Sequence, residues 1–324
     1  MEDKLKLVSK VLVLDGDAAC HDKIKHFCDK ADLVGVKTST ENVMTVLRSN
    51  VDLGGVFISE TFDDKADGGL LLGRAIHAVR PELPIFLRRE STGSLEDLSE
   101  IDQKTFSAVY TVDHIDSLRT AIDGYIFALS YPNALVRGIT EITKTALEGQ
   151  FINLATEVAT PYIVKDRLIF GEIYTLIPIE GSWCRGYMML QAEEAGLMKL
   201  IKANKTHMQP EDAEDFRNVN EVLGELTNLI WGSFKNRYFA PDSKSTYMSQ
   251  VPIVINHLHR YISFGSQDPQ LCFKYTLTDR DNEKSEPIDI YERFVFNLSW
   301  SPEDFSENTV SADDLVYSGE LEMF

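Results

Sequence analysis

The first 130 residues alternate between short apolar runs and amphipathic segments. Five apolar runs predict β-strands: VLVLD, LVGVKT, GVFIS, PIFLR and SAVYTV, beginning at residues 11, 33, 55, 84 and 107. Between the first four runs, and again after the fifth, apolar residues recur every three or four positions, which is typical of helices that bury one side. The alternation predicts a parallel sheet with helices on both faces. In such a sheet, ligands and chemistry collect at the carboxyl ends of the strands.

A different pattern begins after Tyr131-Pro132-Asn133, which we interpret as a linker because proline ends helices and asparagine favours turns. Residues 134–147 predict a long amphipathic helix, and the stretches 167–181 and 183–191 predict a hairpin. Further strands predicted in QVPIVI, LCFKYTLT and RFVFNLSW give this half a largely antiparallel sheet with long helices. The predicted class is therefore α/β, with domains at 1–130 and 131–300 and a tail at 301–324.

The segment EVLGELTNLIWGSFKNRY, residues 221–238, predicts a helix although it contains poor helix formers. Its predicted core stripe, spaced by three and four positions, comprises Phe216, Val219, Leu223, Leu226 and Ile230. The opposite side of the helical wheel carries Glu221, Glu225, Asn228 and Gly232. Glu225 and Asn228 are one turn apart and therefore neighbours. Gly232 has no side chain, so another molecule could approach that side of the helix closely. Spacing alone favours an ordinary solvated face over a functional one.

Charge and composition limit the classes of partner and site. The chain has 32 basic and 51 acidic residues, and its net charge of −19 disfavours nucleic acid and anionic membranes, which leaves proteins as the expected partners. The four cysteines have no metal-binding spacing, and no signal-peptide core or membrane-spanning run is present, so we expect a cytoplasmic protein. His257 and His259 share one face of a predicted strand, but two histidines without a third ligand predict a structural role.

The strand ends of the first domain resemble those of response-regulator receivers, a family with a flavodoxin-like, five-stranded parallel sheet. That family needs paired acids after the first strand to hold Mg²⁺ and an aspartate after the third to accept a phosphoryl group. It also needs a serine or threonine after the fourth strand and a lysine after the fifth. In this sequence the residues around those positions are Asp15, Gly16, Asp17, Glu60, Arg88 and Val112.

The departures from that pattern predict a pseudo-receiver rather than a receiver regulated by its own phosphorylation. Gly16 replaces one acid and Val112 stands where lysine is expected, so most of the charge arrangement for phosphoryl transfer is missing. We predict that Glu60 pairs with Arg88 in place of the missing cations. Glu60 could also imitate an acylated aspartate. In the alternative interpretation the pocket has decayed, and the domain serves as a dimerisation or docking surface.

The second domain resembles the CheX/CheC phosphatases over roughly residues 131–300. The segment GELTNLIWGSFK is similar to the signature helix of that family, which is built around Glu-x-x-Asn with a following glycine. An opening helix that begins at Asn133-Ala134, the pair IEGSWCRGYMML and the strand QVPIVI agree with the same family. One signature motif is present, as in CheX.

This resemblance implies dephosphorylation of the aspartyl phosphate of a CheY-like receiver in chemotaxis or two-component signalling. Asn228 would hold the attacking water, and Glu225 would pair with a lysine of the partner. Mg²⁺ would belong to the partner, so no cofactor is expected in this chain. CheX-type domains also suggest a homodimer. The alternative is a non-catalytic adaptor that binds a receiver or kinase partner through the same surfaces.

The tail holds seven acidic residues and no basic ones, so we expect its leading part to be disordered. Its end resembles the peptide by which CheZ, another chemotaxis phosphatase, tethers phosphorylated CheY, although the spacing differs. The residues concerned are Asp313, Asp314, Leu315 and Phe324. A tether of this kind would raise the local concentration of the partner.

Overall fold

The computed structural model describes residues 7–48, 52–64, 67–166, 168–207, 215–239, 253–256, 261–263, 269–282 and 284–307. In these ranges we find no helix with the length and apolar character needed to cross a membrane.

Strands and helices alternate through the first half. In chain order they are β1 (Val8–Leu14), α1 (Ala18–Lys30), β2 (Leu33–Lys37), α2 (Val43–Arg48), β3 (Gly55–Ser59), α3 (Gly68–Val79), β4 (Ile85–Arg88), α4 (Glu100–Thr105), β5 (Ala108–Tyr110) and α5 (Arg119–Tyr125). The strands pair in parallel in the order β2-β1-β3-β4-β5, which is the flavodoxin-like order. The predicted fold class of this half is confirmed.

Alternate residues of β1 face two separate cores, one on each side of the sheet. Val11 and Val13 pack in a cluster with residues of α1 and α5, whereas Leu12 and Leu14 pack with residues of α2 and α3. The one helix here that the sequence pattern did not predict is α4, which is six residues long and contains a single large apolar residue, Ile101. Without a repeated apolar spacing, no periodic signal marks it.

The second half consists of α6 (Asn133–Gln150), β6 (Leu154–Val158), β7 (Tyr162–Val164), β8 (Leu168–Phe170), β9 (Ile173–Glu180), β10 (Cys184–Ala192), α7 (Glu194–Lys202), α8 (Arg217–Tyr238), β11 (Ile253–Asn256), β12 (Tyr261–Ser263), β13 (Gln270–Asp279) and β14 (Ile288–Trp300). The order β11-β9-β10-β14-β13-β7 is antiparallel throughout, and β6 also pairs with β13. The strands β8 and β12 form a separate pair. The predicted antiparallel sheet with long helices is confirmed.

Helices α6 and α8 cover one face of this antiparallel sheet. Apolar residues of both helices share one buried cluster with residues of β9, β10, β13 and β14. The two helices approach closely at Gly138 of α6, where an added Cβ would lie 1.7 Å from the hydroxyl of Tyr238 on α8. A glycine is therefore required there by packing rather than by backbone conformation.

The two halves share a single continuous sheet because β7 pairs with the start of β1. Val8 lies opposite Tyr162 and Ser9 opposite Ile163 in a short parallel ladder. The Ser9 hydroxyl donates to the Ile163 carbonyl over 2.7 Å. This arrangement does not test the domain limits at residues 130 and 300, which stay predictions.

A buried ion pair crosses the same seam. Arg293 of β14 donates through Nη2 to both carboxylate oxygens of Asp52, each over 3.0 Å, and Asp52 lies in the segment before β3. The hydroxyl of Tyr162 donates to the same carboxylate over 2.9 Å. A second pair, between Arg80 and Asp166 at 2.9 Å, is also buried.

Two local predictions were wrong. Phe216 does not belong to the core stripe: α8 begins one residue later, and the Phe216 side chain is 51% exposed. The start of the tail is not disordered in the part that the structure describes, residues 301–307. There Phe305 packs edge-on against Trp183, with ring centroids 5.1 Å apart, and Glu307 pairs with Arg237. The acidic composition predicted a solvated segment, because composition carries no information about tertiary contacts such as these two.

Candidate active site

Helix α8 forms across two glycines because its other side is deeply buried. Val219, Leu223 and Leu226 have no exposed surface, and Ile230 has almost none. A glycine inside a helix costs about 1 kcal/mol relative to alanine, whereas burying one such apolar side chain contributes about 1.5–3 kcal/mol. Packing therefore determines this helix, and intrinsic propensity matters less.

The outer side of α8 carries Glu225 and Asn228 as exposed neighbours. The two residues are separated by three positions, or about 4.5 Å along the helix axis, and both side chains are exposed. A Cβ added at Gly224 or Gly232 would have no atom within 4 Å, so the surface on either side of the pair is open. Among the residues described, none accepts from or donates to the Asn228 amide. The pair is thus accessible to a large partner.

Gln150 lies behind Glu225. It is the last residue of α6, is 4% exposed, and donates through Nε2 to Glu225 Oε2 over a long 3.5 Å. A buried donor of this kind restricts the positions that an exposed carboxylate can occupy. No sequence signal points to Gln150, because nothing in the α6 pattern relates its last residue to α8.

A pair of threonine hydroxyls fixes α8 against the sheet directly beneath the polar pair. The Thr227 hydroxyl donates to the Leu223 carbonyl over 2.7 Å and lies 2.5 Å from the hydroxyl of Thr175 on β9. Since the Thr227 proton is used within the helix, Thr175 is the donor between the two hydroxyls. Thr227 lies between Glu225 and Asn228 in the chain, so this contact sets the rotation of α8 about its axis.

In the first half, the carboxyl ends of three neighbouring strands bring together Asp15, Ser59 and Arg88. The Arg88 guanidinium donates to Asp15 over 2.6 and 3.2 Å and to the Ser59 hydroxyl over 2.8 Å. The side chains of Arg88 and Asp15 are only 5% and 1% exposed. Both oxygens of the Asp15 carboxylate therefore have a cationic partner within the chain.

The predicted ion pair between Glu60 and Arg88 is wrong, because the neighbouring arginine contacts Glu60. Arg89 donates through Nε to Glu60 over 3.1 Å, and its two other nitrogens donate to Asp97 over 2.6 and 2.8 Å. The hydrogen bonds from Arg89 hold the pKa of Asp97 below its usual range. Successive residues at a strand end point in opposite directions, so Arg88 is directed to Asp15 and Arg89 to Glu60.

The side chains of this first-half pocket do not provide the oxygen ligands that Mg²⁺ requires. Gly16 offers no carboxylate, and the Asp15 carboxylate is neutralised by Arg88. Asp17 caps α1 by accepting from the Ala19 amide over 2.9 Å. Val112 follows β5 and adds no charge. A divalent cation prefers several free oxygen ligands, whereas this pocket already contains a guanidinium.

One family model matches part of the second half. A family model described as "Chemotaxis phosphatase CheX" matches residues 173–276, a segment that runs from β9 into β13 and includes Glu225 and Asn228. Residues 173–276 are therefore similar to the CheX family. No curated protein matches the chain.

Solved structures similar to the chain include several chemotaxis proteins. A CheC-like superfamily protein from Shewanella sp. PV-4 is 20% identical, covers 51% of this chain and 99% of its own, and has a TM-score of 0.36. The chemotaxis protein CheX from Vibrio vulnificus is 19% identical, covers 50% of this chain and 99% of its own, and has a TM-score of 0.34. Full-length FixJ from B. japonicum is 16% identical, covers 44% of this chain and 68% of its own, and has a TM-score of 0.30.

The sheet beneath α6, next to the segment that matches the CheX model, buries a carboxyl group for which the sequence pattern holds no signal. Glu292 of β14 has no exposed surface, and its Oε2 accepts from Thr143 over 2.9 Å and from Tyr275 over 3.0 Å. Burial raises the pKa of Glu292 to about 8, although those two hydrogen bonds lower it. The protonated, neutral form of Glu292 therefore predominates at pH 7. Since Oε2 accepts both bonds, the proton is assigned to Oε1, which has no partner.

Other predicted residues lie outside the described ranges. These are His257 and His259, and the tail residues Asp313, Asp314, Leu315 and Phe324. Within the ranges that are described, no group of three or more histidine, cysteine or acidic side chains could hold a metal ion. The four cysteines are buried and unpaired by disulfides.

Proposed function

We propose that this protein hydrolyses the aspartyl phosphate of a CheY-like receiver in chemotaxis or two-component signalling. One observation carries the proposal: Glu225 and Asn228 are exposed neighbours on α8, inside the segment that matches the CheX family. The family description supports the reaction class, and the open surface beside Gly224 and Gly232 supports access by a folded partner.

Asn228 would hold the attacking water. An acyl phosphate already contains an activated bond, so the catalyst mainly needs a water placed in line with phosphorus. The water oxygen forms a bond to phosphorus, the bond between phosphorus and the aspartyl oxygen breaks, and the products are inorganic phosphate and a free carboxylate. An amide both donates and accepts hydrogen bonds without titrating, which suits this role.

Glu225 would dock the partner. Its carboxylate is an acceptor that can pair with a lysine at the partner's active site and fix the phosphoryl group beside Asn228. Gln150 supports this role because it contacts the Glu225 carboxylate from the buried side. Leu229, which is 46% exposed and follows Asn228, offers an apolar contact next to the polar pair. In this proposal Mg²⁺ belongs to the partner.

Phosphate release from a purified receiver tests the proposal. The substrate is a CheY-like receiver phosphorylated with acetyl phosphate, and the full chain is compared with Asn228→Ala and Asn228→Asp. We expect the rate of phosphate release to fall about 10²-fold or more in Asn228→Ala. The affinity of this variant for the receiver should stay close to that of the wild type. Asn228→Asp should also fail because it lacks the N–H donors.

A matched control separates the site from the general surface charge. Glu225→Gln should weaken receiver binding, whereas Glu100→Gln, at an exposed position in the first turn of α4, should change neither binding nor hydrolysis. If the wild type binds phosphorylated receivers without accelerating phosphate release, the chain is the non-catalytic adaptor instead. A homodimer and a cytoplasmic location accompany the proposal as predictions.

A further inference from the structure

A cavity of about 820 Å³ lies beside the seam between the two halves. Lys10 and Asp52 of the first half line it together with Tyr291 and Arg293 of β14. On β14, Glu292 faces α6, so Tyr291 and Arg293 project from the other face of the sheet, away from the candidate active site. Ligand sites commonly have volumes of about 300–1,000 Å³ and favour domain interfaces. The cavity has the size and the position of such a site.

Arg293 has one hydrogen-bond donor with no acceptor. Its Nη2 is used by Asp52, and its Nη1 lies 3.4 Å from Gln270 Oε1 and 3.2 Å from Cys272 Sγ. The Nε donor has no partner, and the residue is 4% exposed. An unsatisfied buried donor costs about 1–3 kcal/mol. The ion pair with Asp52 thus neutralises the charge of Arg293 but leaves one N–H unused.

Gln191 provides an unsatisfied acceptor on the same side of the sheet. In the ladder between β10 and β14, Arg293 lies opposite Met189 and Tyr291 opposite Gln191, so Gln191 is diagonal to Arg293. Gln191 is 9% exposed and its Oε1 has no donor. A donor and an acceptor are therefore both unused along one wall of the cavity. Both atoms are covered, and both residues line the cavity.

Most of the remaining charged groups of the lining have a partner, including Glu172, which accepts from the backbone N–H of Glu194 over 3.1 Å. Lys274 is paired with Asp289 at 2.7 Å and Lys199 with Glu286 at 2.9 Å, so these four charges cancel. Lys10, from the first half, lies 5.3 Å from the ring centre of Tyr162 and has no carboxylate partner among the residues described. At the end of β10, Glu193 also lines the cavity, precedes α7, is exposed, and caps no backbone N–H. The lining thus offers both a cation and an anion.

We propose that this cavity binds a small zwitterion of the free amino acid class. The ligand carboxylate is directed to Lys10 and the Nε of Arg293, and the ammonium group to the Oε1 of Gln191 and to Glu193. A purely anionic ligand leaves the Gln191 acceptor and Glu193 without a donor, and a purely cationic one leaves Lys10 and Arg293 without an acceptor. This site is separate from Glu225 and Asn228, so the inference does not depend on the proposed hydrolysis.

Isothermal titration calorimetry with the full chain tests this inference. The probes are the free L-amino acids, one at a time, and for each amino acid that binds, its N-acetyl and its carboxamide derivatives. At least one free amino acid should bind saturably, and both blocked derivatives should bind at least about tenfold more weakly, because each loses one charge-assisted contact. Absence of saturable binding by every free amino acid would overturn the inference, as would equal binding of the blocked forms.

Two variants locate the site. Lys10→Gln removes a partly exposed charge, and Gln191→Leu removes the unused acceptor, so each should weaken binding about tenfold. Lys25→Gln changes an exposed lysine of α1 that does not line the cavity, and it should bind like the wild type. Thermal unfolding of each protein without ligand establishes that it is folded. Wild-type affinity in both Lys10→Gln and Gln191→Leu contradicts the assignment.

Discussion

The guanidinium of Arg88 contacts both oxygens of the Asp15 carboxylate, over 2.6 and 3.2 Å, in a buried position at the carboxyl edge of the parallel sheet. In the receiver family, acids after the first strand hold a divalent cation. Here an arginine of the same chain neutralises the charge instead. The positive charge beside Asp15 is thus supplied by a side chain of the fold itself.

Removing that arginine should destabilise the fold strongly. Arg88→Met leaves the Asp15 carboxylate buried without a partner, and we expect a loss of about 3–5 kcal/mol in the free energy of unfolding. Urea unfolding followed by circular dichroism measures it. As a control, Arg185→Met breaks an ion pair with Glu180 in which both side chains are more than half exposed, and it should cost at most about 1 kcal/mol. Similar losses in the two variants would contradict this account.

Replacing Gln150 should affect docking more than chemistry. Gln150→Met keeps the side-chain length and removes the donor to Glu225, so the carboxylate has more freedom before the partner binds. On the proposed function, KM for the phosphorylated receiver should rise about threefold to tenfold, corresponding to about 1 kcal/mol, with a smaller change in kcat. Steady-state phosphate release measures both constants. Gln103→Met, in α4, is the control, and a fall in kcat with KM unchanged would exclude the positioning role.

Glu292 should make stability depend on pH. Burial raises its pKa to about 8 in the folded protein, above the value of about 4.3 expected in the unfolded chain. At pH values between these two pKa values, the folded state therefore binds one more proton than the unfolded state. The contribution of Glu292 to the free energy of unfolding is fully present at pH values below the unfolded pKa. It is lost as pH rises through the folded pKa, and between the two pKa values the free energy of unfolding falls by about 1 kcal/mol per pH unit.

The variant Glu292→Gln removes this titration while retaining an acceptor for Thr143 and Tyr275. Its free energy of unfolding should change less between pH about 5 and about 8 than that of the wild type. Urea unfolding at a series of pH values provides the comparison. Glu148→Gln, at a half-exposed position on α6, should keep the wild-type slope. Parallel curves for wild type and Glu292→Gln would show that this carboxyl group is not the source.

Two glycines of α6 should respond in opposite ways to alanine. At Gly138 the new Cβ would lie 1.7 Å from the Tyr238 hydroxyl, so Gly138→Ala should separate α6 from α8 and cost about 1–3 kcal/mol. At Gly149 nothing lies within 4 Å, so Gly149→Ala should be neutral or stabilise by up to about 1 kcal/mol. Thermal unfolding of both variants decides the matter. Equal destabilisation would mean that the close approach of the helices does not determine the effect.

The parts of the fold that were predictable depend on local periodicity. The five parallel strands and the helices α6 and α8 follow from apolar spacing, which can be read from a short window of the chain. The neighbouring positions of Glu225 and Asn228 follow in the same way, because residues three apart on a helix point in similar directions. Their exposure could be expected once the buried stripe of α8 was located. Their catalytic roles stay predictions.

The parts that were not predictable depend on where an element ends or what packs on it. Arg88 ends β4 and Arg89 follows it, and the sequence alone does not show which of these two arginines contacts Glu60. Phe216 has the correct spacing for the core, but α8 starts after it, so its side chain lies in solvent. Gln150 and Glu225 are 75 residues apart, and no periodic signal connects them.

The ladder between β7 and β1 affects how this protein can be divided. If the chain were cut near residue 130, the start of β1 and the facing edge of β7 would each present unpaired backbone N–H and C=O groups. Unpaired strand edges can pair with strand edges of other molecules, so either fragment is expected to aggregate more readily than the intact chain. Exchanging the first half for an unrelated receiver would therefore require a replacement strand at this seam, whatever the similarity of the two folds.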